Sequence, residues 1–235
     1  MNELQEKIGI LNSDWLMSAR EKLVLIGLLH CLKPKKVLEL GYHRGGATKW
    51  LSEFSEQVIT VDVNEFVADA PNLFNNLEAW NCPTLEAAFR IKKENLFFDL
   101  AIIDADHSRQ AVSADINGII SYSDIILMHD SFNPDCRKGI IDALQKQKSH
   151  AYYLDFIPSI SKKDGLWGGL AIAWKSKTPG HTKEFVKEMS FFIPVAIQNS
   201  FRLQPTITAT KAKASVFKQL TFSKLKITLG RLLRR

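Results

Sequence analysis

The stretch Val37-Leu38-Glu39-Leu40-Gly41-Tyr42-His43-Arg44-Gly45-Gly46-Ala47-Thr48 decides how this chain is read. A short apolar run closes on an acid and a glycine, and two more glycines follow four and five residues after Gly41. Beyond them Ala47, Trp50, Leu51 and Phe54 recur at helical spacings of three and four. The pattern is strand, tight turn, helix. Gly41 can take backbone angles closed to other residues, and Gly45 and Gly46 are expected to let a ligand approach the main chain. In an open α/β sheet, a turn at the carboxyl end of the first strand is where ligands bind.

The spacing is E-x-G-x-x-x-G rather than the G-x-G-x-x-G of dinucleotide sites. Glu39, two residues before Gly41, is read as an anion that repels a pyrophosphate and suits a cationic ligand carrying an amine. A second strand, Val58-Ile59-Thr60-Val61-Asp62-Val63, carries an acid 21 residues after Gly41. Asp62 is placed to accept hydrogen bonds from both hydroxyls of a ribose. A ribose, an amino-acid-like end and no pyrophosphate describe S-adenosylmethionine (SAM). This part of the chain resembles the class I SAM-dependent methyltransferases.

Outward from this core, elements alternate. A strongly apolar helix over 20–32 precedes the first strand, and Pro34 stops it. Residues 64 to 80 read as mostly helical, broken by Pro71, with a weak third strand near Trp80 to Pro83. Thr84 is a candidate cap for a helix over 85–93. Then come strand four (Phe98 to Asp104), a helix over 108–120, strand five (Asp124 to Asp130), a helix over 136–147, strand six (Tyr152 to Ile157) and strand seven (Gly169 to Trp174). The link Ser159 to Gly165 is too short for a helical crossover, so strands six and seven form an antiparallel hairpin. The expected class is α/β: a Rossmann-like, doubly wound seven-stranded sheet, mostly parallel with an antiparallel last strand. The resemblance implies the same architecture. Residues 1–19 read as a helical lead-in with Trp15, Leu16 and Met17 packing on the domain, 20–176 as the SAM-binding domain, and 177–235 as a C-terminal extension.

A second constellation sits at strand ends. Strand four closes on Asp104-Ala105-Asp106-His107-Ser108 and strand five on His129-Asp130-Ser131. The parallel sheet brings these ends beside the first glycine loop. The pairing resembles a branch of small-molecule O-methyltransferases and their relatives around sugar, macrolide and cephalosporin tailoring, over about residues 20 to 175. Several relatives hold a divalent cation between an acid after strand four and one after strand five. The resemblance therefore implies Asp104 and Asp130 as ligands of Mg²⁺ or a similar ion, with His129 as a further candidate. His129 before Asp130 and Ser131 after it depart from the branch, where a second acid or Asn is common. That departure favours a metal tolerating imidazole. His107, His129 and Asp130 are the candidate catalytic residues; both histidines have unperturbed pKa values near neutrality. Glu39, Gly41, Gly45, Gly46, Asp62 and Asp104 are the candidate donor-binding residues. Asp106 is read equally well as a helix cap, and Asp99 as a turn residue. Trp167 and Trp174 are read as packing residues, Trp167 alternatively as a wall of the acceptor pocket.

Composition narrows the partners. The 235 residues fit one α/β domain with appendages. The net charge of +6 is local. Eight of the 31 Lys and Arg lie in 211–235, and the remaining 23 face 25 acids, so the body is near neutral. A near-neutral body argues against nucleic acid as substrate. From residue 221, Phe222, Leu225, Leu229, Leu232 and Leu233 project to one side of a helix and Lys224, Lys226, Arg231, Arg234 and Arg235 to the other. Such a basic amphipathic helix suits peripheral contact with an anionic membrane, or packing on the domain or on a second copy of the chain. Cys31, Cys82 and Cys136 read as reduced thiols, the polar N-terminus as no secretory signal, and the location as cytoplasmic. The functional expectation is methyl transfer from SAM to an oxygen of a small molecule or glycan. The alternatives are a nicotinamide-dependent oxidoreductase and a non-catalytic module retaining the fold.

Overall fold

The computed structural model describes residues 15–157 and 167–175. The expectations for 1–14, for the link Ser159 to Gly165 and for the C-terminal extension lie outside the described residues.

The elements are α1 (Ala19–Leu32), β1 (Lys36–Leu40), α2 (Gly46–Phe54), β2 (Gln57–Asp62), β3 (Leu77–Asn81), α3 (Thr84–Glu94), β4 (Phe98–Ile103), α4 (Arg109–Ile119), β5 (Ser123–His129), α5 (Pro134–Leu144), β6 (His150–Ile157) and β7 (Leu170–Lys175). Seven strands form one sheet in the order β3-β2-β1-β4-β5-β7-β6. The pairs from β3 to β5 are parallel, and β7 is antiparallel to both β5 and β6. This is the expected architecture. The strand order reverses between β1 and β4, which leaves a crevice at their carboxyl ends.

The sheet is buried on both faces, as a parallel sheet must be. One core layer packs Leu25, Leu28 and Leu29 of α1 and Trp50 and Leu51 of α2 on Val37, Leu100, Ile102 and Leu127. The other packs Ile91, Ile116 and Ile140 on Leu38, Leu40, Ala101, Ile103 and Met128. Period-two alternation continues past the apolar runs. Glu39 lies on the same face as Val37, Asp104 continues the face of Ile102, and His129 that of Leu127. The polar residues at the strand ends therefore gather on the α1–α2 side.

Three local expectations are corrected. The stretch after β2 forms a short 3-10 helix, Glu65–Asn72, and β3 begins earlier than expected, at Leu77. Pro71 and the small residues around it support a tight turn more than a full α-helix. Thr84 is not a cap: the N-cap of α3 is Pro83, and the Thr84 hydroxyl serves the buried Asp115 instead. Of the lead-in residues, Trp15 and Met17 are buried, whereas Leu16 is 79 % exposed. Asp99 is the expected turn residue, since its Oδ2 accepts from the backbone N–H of Lys35 and Lys36 at 2.7 and 2.9 Å.

Candidate functional site

The glycine loop is built by backbone contacts. Gly41 has φ +101°, and its N–H donates to the Val61 carbonyl at 2.9 Å. A Cβ there would lie 2.1 Å from the Asp104 carbonyl oxygen, so only glycine lets β1 and β4 close. At Gly45, φ +73°, a Cβ would meet the Tyr42 ring, and at Gly46 it would meet Trp15 at 2.5 Å. The expectation that Gly45 makes room for a ligand is therefore corrected, since what approaches it is Tyr42 of the protein itself, whereas Gly46 is met by Trp15 and also borders the cavity. Gly41 and Gly46 still line the central cavity, and Gly45 does not.

Asp62 is also spent on the loop. Its Oδ2 accepts from the N–H of Tyr42 and of His43, both at 2.9 Å, and its Oδ1 from that of Asn64 at 2.9 Å. A carboxylate offers about four acceptor positions, so three backbone donors leave about one for a ribose hydroxyl. Its leading role is to tie the glycine loop to the end of β2.

Glu39 is buried at the cavity wall, 1 % exposed. Thr48 of α2 and Thr60 of β2 both donate to its Oε2, at 2.6 and 2.7 Å. Burial pushes its carboxyl up to about 8, even though the two threonine hydroxyls pull the other way. Burial therefore works against the standing anion read from the sequence.

Across the cavity the acids and imidazoles face one another. His107 Nε2 is 2.8 Å from Asp130 Oδ2 and 3.7 Å from Asp104 Oδ1. His129 Nδ1 is 2.9 Å from Asp104 Oδ1 and 3.6 Å from Asp130 Oδ2. The carboxylates of Asp104 and Asp130 raise the His107 pKa to about 9. Burial opposes a charge on His129, but Asp104, Glu21 and Asp130 outweigh it and hold its pKa well above the usual range. Burial likewise works against the Asp104 anion, and the two imidazoles more than offset it. Neither histidine is the near-neutral base that its unperturbed value suggests.

Asp130 stands at φ +53°, a left-handed conformation that is uncommon outside glycine. That turn swings its side chain off the strand: Oδ1 accepts from the Gly168 N–H, and Oδ2 meets His107. The atoms that converge well enough to close on a cation belong to Asp104, His107 and Asp130, all within 4.8 Å of one another. The expected ligand His129 is replaced in that set by His107. His129 instead braces Asp104, with its ring 7 % exposed. Asp106 takes its bland reading: its Oδ1 accepts from the Ser108 N–H at 2.6 Å, and Ser108 caps α4.

Glu21 was missed by sequence reasoning. It is 2 % exposed in the first turn of α1 and closes a capping box with Ser18. Its Oε1 accepts from the Gly169 N–H, and its Oε2 lies 3.7 Å from His129 Nε2, beyond hydrogen-bond reach. Burial disfavours its anion, yet His129 and Ser18 hold its pKa down at about 2. The S-x-x-E spacing before α1 was the available signal, but it announces a helix start rather than a site residue. Trp167 packs edge-on against His107, ring centres 5.2 Å apart at 74°, which favours the wall reading over core packing.

One cavity of about 1270 Å³ joins the two groups. Glu39, Gly41, Asp62 and Asn64 are in its lining together with Asp104, His107, His129, Asp130 and Trp167, and so are Trp15 to Ser18 and Glu21.

The fold has known counterparts. The O-methyltransferase from Bacillus cereus, solved in complex with SAH, superposes with a TM-score of 0.55 at 18% identity, covering 73% of this chain and 88% of its own. The O-methyltransferase TomG from Streptomyces achromogenes, involved in tomaymycin synthesis and solved with SAM, gives a TM-score of 0.55 at 14% identity, covering 74% and 90%. The fold is the class I methyltransferase fold. No family model matches the chain, and no curated protein matches it. At such identities the likeness is one of methyltransferase architecture, and the chemistry has to be argued from this chain's own cavity.

Proposed function

We propose that the protein transfers the methyl group of SAM to an oxygen of a small molecule or glycan, with Asp104, His107 and Asp130 holding a divalent cation. One observation carries this reading: a single cavity has the glycine loop, Glu39 and Asp62 on one side and the acid–imidazole cluster on the other. Donor and acceptor bound there would lie side by side, which is most of what transfer from an already activated sulfonium requires. The likeness to O-methyltransferases supports oxygen as the target.

Two carboxylates and an imidazole with mutually close ligand atoms fit a divalent cation that accepts nitrogen, such as Mn²⁺, better than one restricted to oxygen. Such a cation would neutralise the paired acids and lower the pKa of an acceptor hydroxyl. The chain's residues supply the frame. Asp130 is anchored by Gly168, Asp104 is braced by His129, and Trp167 steadies the His107 ring. His107, its side chain 37 % exposed, faces the cavity more openly than His129.

The nicotinamide-dependent alternative is not favoured: the glycine spacing differs, and the matched structures are methyltransferases. The test is calorimetric titration of SAM and of NADP⁺ into the purified protein, then a screen of sugar and phenolic acceptors with and without chelator. SAM binding followed by transfer supports the reading. NADP⁺ binding without SAM binding overturns it, and SAM binding with no transfer to any acceptor favours the non-catalytic module. Cytoplasmic location with peripheral membrane contact through the C-terminal extension belongs to the same proposal, supported by the basic run over 211–235 and the amphipathic spacing from residue 221. Equal flotation with anionic liposomes by the full chain and by a version ending at residue 210 would remove the membrane contact.

A further inference from the structure

One outer face of the molecule is apolar where a solvated helix face is expected to be polar. Leu85 and Phe89, one turn apart on α3, are 72 % and 69 % exposed. Both stand on the flank of α3 that carries Ala88, the side turned toward α4. The two helices meet closely there: a Cβ on Gly118 of α4 would lie 2.7 Å from that of Ala88. One turn before Gly118, α4 presents the exposed Ala114, so small side chains stand beside the two large ones. One turn after Gly118 comes Tyr122, whose ring packs on Phe97, centres 5.5 Å apart. Phe97 is itself 53 % exposed, just before β4. The result is a groove between α3 and α4. It runs from Leu85, next to the cavity-lining Thr84, to Phe97 at the opposite end of the sheet.

The chain leaves the described fold at the foot of this groove. β7 is antiparallel to β5 and ends on Lys175, whose Nζ lies 5.9 Å from the centre of the Phe97 ring. The extension that follows lies outside the described residues, but its sequence is informative. Over 183–193 it reads Lys183-Glu184-Phe185-Val186-Lys187-Glu188-Met189-Ser190-Phe191-Phe192-Ile193. Phe185, Val186, Met189, Phe192 and Ile193 follow the spacing i, i+1, i+4, i+7, i+8, the stripe of a helix that buries one face. Glu184 and Glu188 border that stripe on one side, and Pro194 ends it.

We infer that residues 183–193 dock as a helix in the groove between α3 and α4, antiparallel to α3, with their apolar stripe on Phe89 and Leu85. Reach permits it. The ten residues from Lys175 to Phe185 extend to roughly 33 Å, whereas an 11-residue helix such as α3 is only about 16 Å long. Direction and charge agree as well. α3 runs from the cavity end to the foot, so a segment that starts at the foot runs against it. That orientation sets Glu184 and Glu188 beside the exposed Lys92 and Lys93 in the last turn of α3. The docked helix then carries the chain back to the cavity end, beside Pro83 and Thr84 of the cavity lining. It sets down 194–235, with its basic run, on that side of the molecule.

The experiment is hydrogen–deuterium exchange on the full chain, read by mass spectrometry on peptides covering 183–193 and α3, with sedimentation velocity on the same samples. In the wild-type monomer the amides of 183–193 are expected to exchange at least ~10-fold more slowly than in an unstructured chain. Leu85→Ser with Phe89→Ser changes only exposed side chains, so the fold is kept. It should speed that exchange by about tenfold or more, the worth of one large apolar side chain no longer buried. Phe185→Ser with Met189→Ser should do the same from the other side of the contact. A charge test avoids apolar changes altogether. Lys92→Glu with Lys93→Glu should speed exchange of 183–193 by roughly two- to fivefold, the range of exposed ion pairs. Adding Glu184→Lys and Glu188→Lys should restore it. Unprotected 183–193 in the wild-type chain overturns the inference. Protection that Leu85→Ser with Phe89→Ser leaves unmoved puts the segment elsewhere and overturns it too. Protection that appears only as the chain dimerises gives the groove to a second copy, which equally overturns it. None of these outcomes bears on the methyl-transfer reading.

Discussion

The two sides of the cavity use their conspicuous residues in opposite ways. On the glycine-loop side, Gly41, Gly45, Gly46 and Asp62 are consumed by the protein: three glycines admit Asp104, Tyr42 and Trp15, and the aspartate collects three backbone N–H groups. On the cluster side, Asp104, His107, His129 and Asp130 spend their side chains mainly on one another. The first is a backbone device that shapes space, and the second is a charge device that fills it. Mutations on the first side should therefore act on stability before ligand affinity, and those on the second on ligands before stability.

The sharpest way to break this contrast is Gly41→Val. A branched side chain at φ +101° must displace the Asp104 backbone. The expected loss is on the order of 3 kcal/mol or more, read by urea denaturation. Wild-type stability with only SAM binding weakened would mean that the glycine serves the ligand after all.

Asp104→Asn and Asp130→Asn test the other side. Each should lower Mn²⁺ affinity by ~100-fold or more, because a neutral amide is a poor ligand for a hard cation, and Asp130→Asn should leave SAH affinity within about twofold. Calorimetry with each probe alone gives both readings. A wild-type chain that ignores Mn²⁺ would remove the cation and leave a purely imidazole-based site.

Glu21→Gln stands between the two sides, since Glu21 shapes the start of α1 and also faces His129. The loss of the charged half of the capping box should cost about 1 kcal/mol of stability. A further effect on Mn²⁺ affinity of ~10-fold would show that the residue also supports the cluster through His129. Loss of stability alone would confine it to the helix start.

The smallest effect is a pH slope. His107 has a folded pKa raised to about 9, so the stability it contributes is complete below its unfolded value near 6.5 and is lost as pH rises toward 9. Glu39, raised to about 8, likewise binds its proton more tightly when folded, so its contribution declines from about 4.5 upward to 8. Melting temperature should therefore fall gently from neutral pH to pH 9. His107→Gln should flatten the upper part of the slope and Glu39→Gln the lower part. A slope unchanged in both variants would mean that neither group is held as the geometry indicates.

Much of this was legible in the chain. The strand–turn–helix at Val37 to Phe54, the apolar runs and the alternation of elements rest on local periodicity and on glycine's conformational range, and both are written residue by residue. The short hairpin link dictated an antiparallel last strand. The sequence by itself thus determined the sheet class, the cavity's position at the β1 and β4 ends, and that acids and histidines would gather there. The tertiary structure alone decided what each of them does. Whether Glu39 is charged depends on how much water reaches it, and whether Asp62 is free depends on which N–H groups turn toward it. His107 displaced His129 from the convergent set because strand alternation sends His129 toward α1, while the left-handed turn at Asp130 brings that acid round to His107. Glu21 joined from 83 residues before Asp104, since only packing of α1 on the sheet puts a helix-capping carboxylate beside an imidazole. Burial, charge state and partner choice are properties of distances through space, and no spacing along the chain encodes them.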